Sequence, residues 1–207
     1  MTLTGLLTRA SDTQVRMHNV ALRDRRVWRD AALIWLATRL LFAALTYLGE
    51  TFLFIPPHSG QRVGWDALFR PWLGWDGANY AVIAREGYMH LWETQYFPLF
   101  PALEHLLAIT LLQNPAATAV AGAIIANVAG FFALVLVRLL AERELGRAAA
   151  QRTLLYLAVF PTAFFFAASY TESLFLLLSV GAFLCLRRGG DGSPLVCWPR
   201  WQRSPVR

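Results

Sequence analysis

The sequence predicts an all-α, multi-pass membrane protein with one long external region between its first two spans. Three observations predict it. Of 207 residues, 57% are hydrophobic and only 15% are charged, too apolar a balance for an ordinary soluble domain. The apolar residues gather into runs near the ~20 residues that cross a bilayer. The acidic residues concentrate between positions 50 and 117, away from the Arg-rich sections.

Residues 1–30 form a polar arm in which Arg9, Arg16, Arg23, Arg25, Arg26 and Arg29 outnumber Asp12, Asp24 and Asp30. Positive charge marks the cytoplasmic side, so the arm is placed there. The first apolar run occupies 31–49 and is interrupted by Arg39. No small-residue cleavage site follows it, so it is expected to remain as an anchor. Residues 50–117 carry Glu50, Asp66, Asp76, Glu86, Glu93 and Glu104 against Arg62, Arg70 and Arg85, and are assigned to the outside. Pro56-Pro57, Ser59-Gly60 and Asn114-Pro115 punctuate this region as irregular structure. Within it, 79–85 fits a short helix presenting Tyr80, Ile83 and Ala84 on one face. Residues 100–112 are apolar, but Glu104 and His105 interrupt them. A stretch this short reads as interfacial or re-entrant.

The second span covers 118–140. Gly122, Ala126 and Gly130 recur in it every fourth residue, a small-residue stripe for close helix packing. Asn127 beside the stripe reads as an interhelical hydrogen bond or as a substrate contact. Arg138, Arg143, Arg147 and Arg152 return the next loop to the cytoplasm. A third span at 153–168 is expected to kink at Pro161. Tyr170-Thr171-Glu172-Ser173 forms an outer turn, and a fourth span at 174–186 ends at Arg187-Arg188. A crossing at 100–112 would place the Arg-rich loop outside, against the charge rule, although a five-span arrangement stays open. Residues 189–207 lack periodicity. They read as a disordered tail or as a truncated or frameshifted end.

Several function classes are excluded. All 19 basic residues are Arg, which reflects a GC-rich, bacterial coding sequence more than chemistry. The net charge of +6 would point to nucleic acid only if it clustered on one soluble face. Cys185 and Cys197 form no metal-ligand spacing, and no metalloenzyme His/Glu motif exists, so no metal site is expected. A disulfide between them is disfavoured, because Cys185 lies in an apolar run. No Gly-rich phosphate loop is present, which argues against a soluble nucleotide site.

The chemistry-bearing stretch is Trp75-Asp76-Gly77-Ala78-Asn79-Tyr80. Asp76 sits among aromatics at the membrane surface, where a carboxylate can take a proton from a hydroxyl. It reads equally as the cap of the helix that follows. Glu172, on the outer turn with Tyr170, should share a face with Asp76 and could bind substrate hydroxyls. Its other reading is local, a favourable charge at a helix start capped by Thr171 or Ser173. Arg39, ionised within a span, needs a partner or a polar cavity. A phosphate or a carboxylate would serve. Trp72, Trp75, Tyr80, Tyr88, Trp92, Tyr96 and Phe97 fit stacking on a ligand and also fit the aromatic belt of any membrane interface. Asp66, His90, Glu93 and His105 are candidate polar lining by location alone.

Taken in order, Trp75-Asp76, Gly87-Tyr88, Phe97-Pro98-Leu99-Phe100-Pro101, Phe160-Pro161 and Tyr170-Thr171-Glu172-Ser173-Leu174-Phe175 resemble the PIG-V family. These are the GPI mannosyltransferase 2 proteins and their bacterial relatives. The resemblance covers about 31–188, and order and spacing carry it, since each box alone is weak. It implies a GT-C-type polytopic helical bundle whose first extracytoplasmic loop holds juxtamembrane helices. It implies transfer of mannose, or a related sugar, from a polyprenyl-phosphate donor to a lipid-linked or glycan acceptor. No further cofactor is implied. The place would be the outer face of a bacterial inner membrane, with the N-terminus cytoplasmic. Asp76 then becomes the general base, with Glu172, Tyr170, Arg39, Trp75, Tyr80 and Tyr88 about the substrates. A lipid phosphate leaves without a general acid, so one base suffices for inverting displacement. Family members are longer, so the chain resembles their N-terminal half. The alternative is an inactive fragment or an assembly subunit that docks a membrane partner through its small-residue stripe. A small transporter fits less well, because its spans would be lined with polar residues.

Overall fold

The computed structural model describes residues 24–53, 70–111 and 117–188. Every regular element among them is helical. Helices run α1 Arg25–Leu48, α2 Asp76–Glu86, α3 Leu99–Leu111, α4 Ala117–Leu145, α5 Arg147–Val159 and α6 Glu172–Arg188. A π turn at Gly49–Leu53 extends α1, and 3-10 turns lie at Arg70–Leu73, Leu91–Gln95 and Ala163–Phe166. Most of the basic arm, the Pro56-to-Asp66 section, Asn114-Pro115 and the tail fall outside the described residues. Two stretches are long and apolar enough to cross a membrane, Arg25–Phe52 and Ala117–Leu145, while α3 and α6 are apolar but shorter.

α1 begins where the Asp24 carboxylate accepts the Arg26 N–H at 2.9 Å, satisfying one of the free donors of the first turn. At this end Arg138 is 1% exposed, 2.6 Å from Glu142 and 3.7 Å from Asp30. Gln151 also donates to Asp30, at 3.3 Å. A buried guanidinium is tolerable only when paired, and here its pairing joins α1 to α4, with α5 tied on through Gln151.

α4 is the hub, with α1, α2, α3, α5 and α6 packed against it. Its buried face is made of small residues, among them Ala121, Gly122, Ala126, Ala129, Gly130 and Ala133, which let backbones approach closely. The Gly122, Ala126 and Gly130 stripe is therefore filled from within the chain and is not offered to a partner.

The stretch expected as one kinked span over 153–168 is α-helical only to Val159. Pro161 brings no N–H, and side chains take the carbonyls beyond it. Arg39 Nη2 donates to the Phe166 carbonyl at 2.7 Å, and Ser173 Oγ donates to the same oxygen at 2.9 Å. Asn127 Nδ2 donates to the Ala167 carbonyl at 3.1 Å. The Ser169 N–H reaches the Trp72 carbonyl at 3.0 Å. Irregular backbone survives away from water only when its polar groups are satisfied in this way.

Glu104 anchors the same segment from α3. Its side chain is fully buried, Oε1 accepts the Ser169 hydroxyl at 3.4 Å, and Oε2 has no partner among the described residues. Gly122 makes the room, because a Cβ there would overlap Glu104 Oε1 and Ser169 Oγ. α3 is described over 13 residues. Burial pushes the Glu104 carboxyl up to about 8, the Ser169 hydroxyl opposing part of the rise.

Two predictions follow from this node. Gly122→Ala should destabilise the protein by about 1–3 kcal/mol in detergent-phase thermal unfolding, as overpacking does. Gly181→Ala is the control, since its Cβ meets only Leu136 Cδ1 at 3.7 Å. Equal melting of the two variants would contradict the crowding. The second prediction concerns pH. The folded Glu104 carboxyl titrates near 8 against 4.5 in the free residue, so between those values the folded chain holds a proton the unfolded chain has lost. Its contribution to stability is fullest below the lower value and is lost as pH rises through the upper one. Glu104→Gln, permanently neutral, should flatten the decline between pH 4.5 and about 8.

Candidate active site

A cavity of 840 Å³ opens between α1, the Arg70–Leu73 turn, the start of α2 and the segment after Pro161. Phe42, Leu45, Trp72, Phe164 and Phe165 give it apolar walls, and Trp75, Asp76, Tyr170 and Glu172 form a more polar end. Sequence spacing placed Asp76 and Glu172 on a common face, and the fold brings them into one cavity.

Asp76 is the first residue of α2, with Trp75 before it at φ 54° and ψ −128°. A non-glycine residue with that backbone is strained, and such strain gathers at functional sites. Trp75 is 86% exposed and leans on the cavity. The Asp76 Oδ1 accepts the Tyr96 hydroxyl at 3.0 Å, and Asn79 Nδ2 donates to that same hydroxyl oxygen at 2.6 Å. Gly77 lets the start of α2 approach the Ser169–Tyr170 backbone, since a Cβ there would lie 3.0 Å from the Ser169 carbonyl oxygen.

Glu172 is the first residue of α6, so both carboxylates stand at positive helix ends. Burial raises the Glu172 carboxyl above its ordinary value, its own backbone N–H opposes this, and the Asp76 charge adds to the rise. Glu172 Oε2 is buried with no partner among the described residues. Tyr170 is buried against Phe165, their rings stacked at 5.5 Å. Burial raises its phenol, the Asp76 and Glu172 charges raise it further, and the Asp76 backbone N–H on its oxygen opposes them.

The other expected site residues lie elsewhere. Arg39 is outside the main cavity, at a small void lined also by Thr38, Gly130 and Phe166. Its Nε donates to Asn127 Oδ1 at 2.6 Å and its guanidinium stacks over Trp35. Neutral oxygens take its hydrogen bonds, where the sequence reading called for a phosphate or a carboxylate. Tyr80 is buried beneath the site, edge-on to Tyr96 at 5.0 Å and to Phe100 at 5.1 Å. Burial raises its phenol, and a hydrogen bond with the Thr171 side chain opposes this. Tyr88 donates to the Tyr96 carbonyl at 2.7 Å and does not line the cavity. Glu93 accepts the Met89 and His90 N–H groups at 2.6 and 2.8 Å, and His105 meets the Ala84 carbonyl at 2.8 Å. These fold the loop rather than line the cavity, and Asp66 lies outside the described residues.

Sequence reasoning gave Asn79 no role and left Tyr96 among seven aromatics. A signal for Asn79 existed, because Asp76 and Asn79 are three apart on one helix face. Among the described residues no group of three or more His, Cys, Asp or Glu could hold a metal ion. The described lining includes no Arg, so the positive ends of α2 and α6 supply what attraction for an anion the cavity has. The arrangement suits removing a proton from a bound hydroxyl at the edge of an apolar pocket.

The family model described as mannosyltransferase (PIG-V) matches residues 27–201. Comparison with curated proteins and with solved structures finds no match.

Proposed function

The chain belongs to the PIG-V mannosyltransferase family, and from that premise we propose that it forms a polytopic, GT-C-type glycosyltransferase of a bacterial inner membrane with its N-terminus in the cytoplasm. It moves mannose, or a related sugar, from a polyprenyl-phosphate donor to a lipid-linked or glycan acceptor on the outer face. The observation that carries this reading is the cavity itself. Two carboxylates at helix starts face one end of an 840 Å³ space whose remaining walls are aromatic and aliphatic. A sugar phosphate on an isoprenoid chain has that same division, polar head and apolar tail.

In this mechanism the apolar walls at Phe42, Leu45, Phe164 and Phe165 take the isoprenoid. The sugar lies toward Asp76 and Glu172. Asp76 accepts the proton of the acceptor hydroxyl while that oxygen bonds to the anomeric carbon. The bond from carbon to phosphate oxygen breaks, and its electron pair leaves with the lipid phosphate. The starts of α2 and α6 stabilise the negative charge that gathers there. Glu172, its carboxyl raised by burial, binds sugar hydroxyls. Arg39 contributes indirectly by holding the segment that carries Phe164, Phe165 and Tyr170.

The test uses the full chain in lipid vesicles with labelled polyprenyl-phosphate mannose. Asp76→Asn should lower turnover by roughly 10²–10⁴-fold while leaving membrane insertion intact. Glu172→Gln should raise KM several-fold and leave kcat within about threefold, as loss of a binding contact does. Unchanged turnover in Asp76→Asn would remove Asp76 from the mechanism.

A further inference from the structure

We propose that Tyr96 positions Asp76: its hydroxyl, oriented by the Asn79 amide, holds one oxygen of the Asp76 carboxylate and leaves the other for the acceptor hydroxyl. The contact rests on geometry alone, and its catalytic consequence rests on the transferase reading.

The direction of the relay follows from donor and acceptor capacity. A tyrosine hydroxyl has one proton and two lone pairs, and an amide NH₂ only donates. Asn79 Nδ2 at 2.6 Å therefore occupies a lone pair of the Tyr96 oxygen. The one proton of that oxygen is left for Asp76 Oδ1 at 3.0 Å, and an ionised carboxylate only accepts. The reverse assignment would aim the Asn79 carbonyl at the hydroxyl and deprive the carboxylate of its donor. Both ends of the relay stand on one turn of α2, because Asp76 and Asn79 are three residues apart.

The middle of the relay is held as firmly as its ends. The Tyr96 ring is buried, edge-on to Tyr80 at 5.0 Å and to Trp92 at 6.2 Å. Its carbonyl receives the Tyr88 hydroxyl at 2.7 Å, and its N–H donates to the Glu93 carbonyl at 2.9 Å. Glu93, 2% exposed, spends its carboxylate on the Met89 and His90 N–H groups and so fixes the turn before Tyr96. None of residues 88–97 lines the cavity. This folded loop meets the polar end of the site through the Tyr96 hydroxyl. A carboxylate held by one oxygen swings less, and a base held in line loses less rate to misorientation.

The test compares wild type, Tyr96→Phe and Asn79→Asp as full chains in vesicles. Tyr96→Phe keeps the ring and removes the hydroxyl. Asn79→Asp keeps ring and hydroxyl but adds an acceptor that competes for the proton. Two readouts are taken. The first is the Asp76 carboxylate stretching band, isolated as the infrared difference between each protein and its Asp76→Asn counterpart. The second is kcat and KM with polyprenyl-phosphate mannose. Both variants should shift the band. Tyr96→Phe should lower kcat by roughly ten- to hundredfold with KM within about twofold. An unmoved band in Tyr96→Phe overturns the contact whatever the activity. A shifted band with unchanged kcat overturns the positioning role. A shifted band with no turnover even in wild type upholds the contact and sinks the transferase reading instead.

Discussion

The structure depends on how two backbone carbonyls are satisfied. The Phe166 and Ala167 carbonyls lie where the chain after Pro161 is no longer α-helical, and Arg39 and Asn127 donate to them at 2.7 and 3.1 Å. The bond from the charged Arg39 contributes about 1.5–3 kcal/mol, the one from the neutral Asn127 amide about 0.5–1.5, and a buried carbonyl left unpaired costs about 1–3. Without those donors the segment would have to continue as helix or open to water. With them it can bend, and the bend places Phe164, Phe165 and Tyr170 on the cavity and delivers Glu172 opposite Asp76. Glu104 and Gly122 fasten the same segment at Ser169 from the other side.

The site is an arrangement of helix starts. α2 and α6 each open with a carboxylate, and those carboxylates meet at one cavity end. Their surroundings differ. Asp76 is exposed and accepts a hydrogen bond from a hydroxyl. Glu172 is half-buried, and its carboxyl is raised by burial. An exposed carboxylate and a half-buried one suit the two halves of a sugar-transfer site, one to take a proton and one to hold hydroxyls.

Much of this was legible in the sequence. The long apolar runs mapped onto α1 and α4, with ends misplaced by a few residues because the first two turns of α1 and the last of α4 carry Arg, Asp and Glu that hydropathy excludes. The short helix expected over 79–85 runs Asp76–Glu86, and the common placement of Asp76 with Glu172 followed from the turn between apolar runs. The break after Val159 did not. Ala163-Phe164-Phe165-Phe166 is as apolar as any span, and Pro161 inside such a run reads as a kink. Pro161 ends the helix, and what keeps it from resuming is a set of donors on α1, α4 and α6, most of them far away in the chain. Arg39 was misjudged for the same reason. A guanidinium in an apolar helix suggests an anion, yet carbonyl and amide oxygens satisfy it, and those leave no trace in residue type. Glu104 read as an interruption because burial of a protonated carboxyl against Ser169 depends on a gap at Gly122.

The central claim is that the space between α1, the start of α2 and the segment after Pro161 is where the lipid-linked sugar sits. It is tested most directly by photo-crosslinking. The full chain in vesicles is irradiated with a polyprenyl phosphate bearing a diazirine on its first isoprene, and the labelled peptides are identified by mass spectrometry. Label should fall on Phe42–Thr46 and on Phe164–Tyr170, and should fade when unlabelled polyprenyl-phosphate mannose competes. Label confined to the far end of the bundle, around Arg138 and Gly146, or label that the sugar donor fails to displace, would contradict the claim.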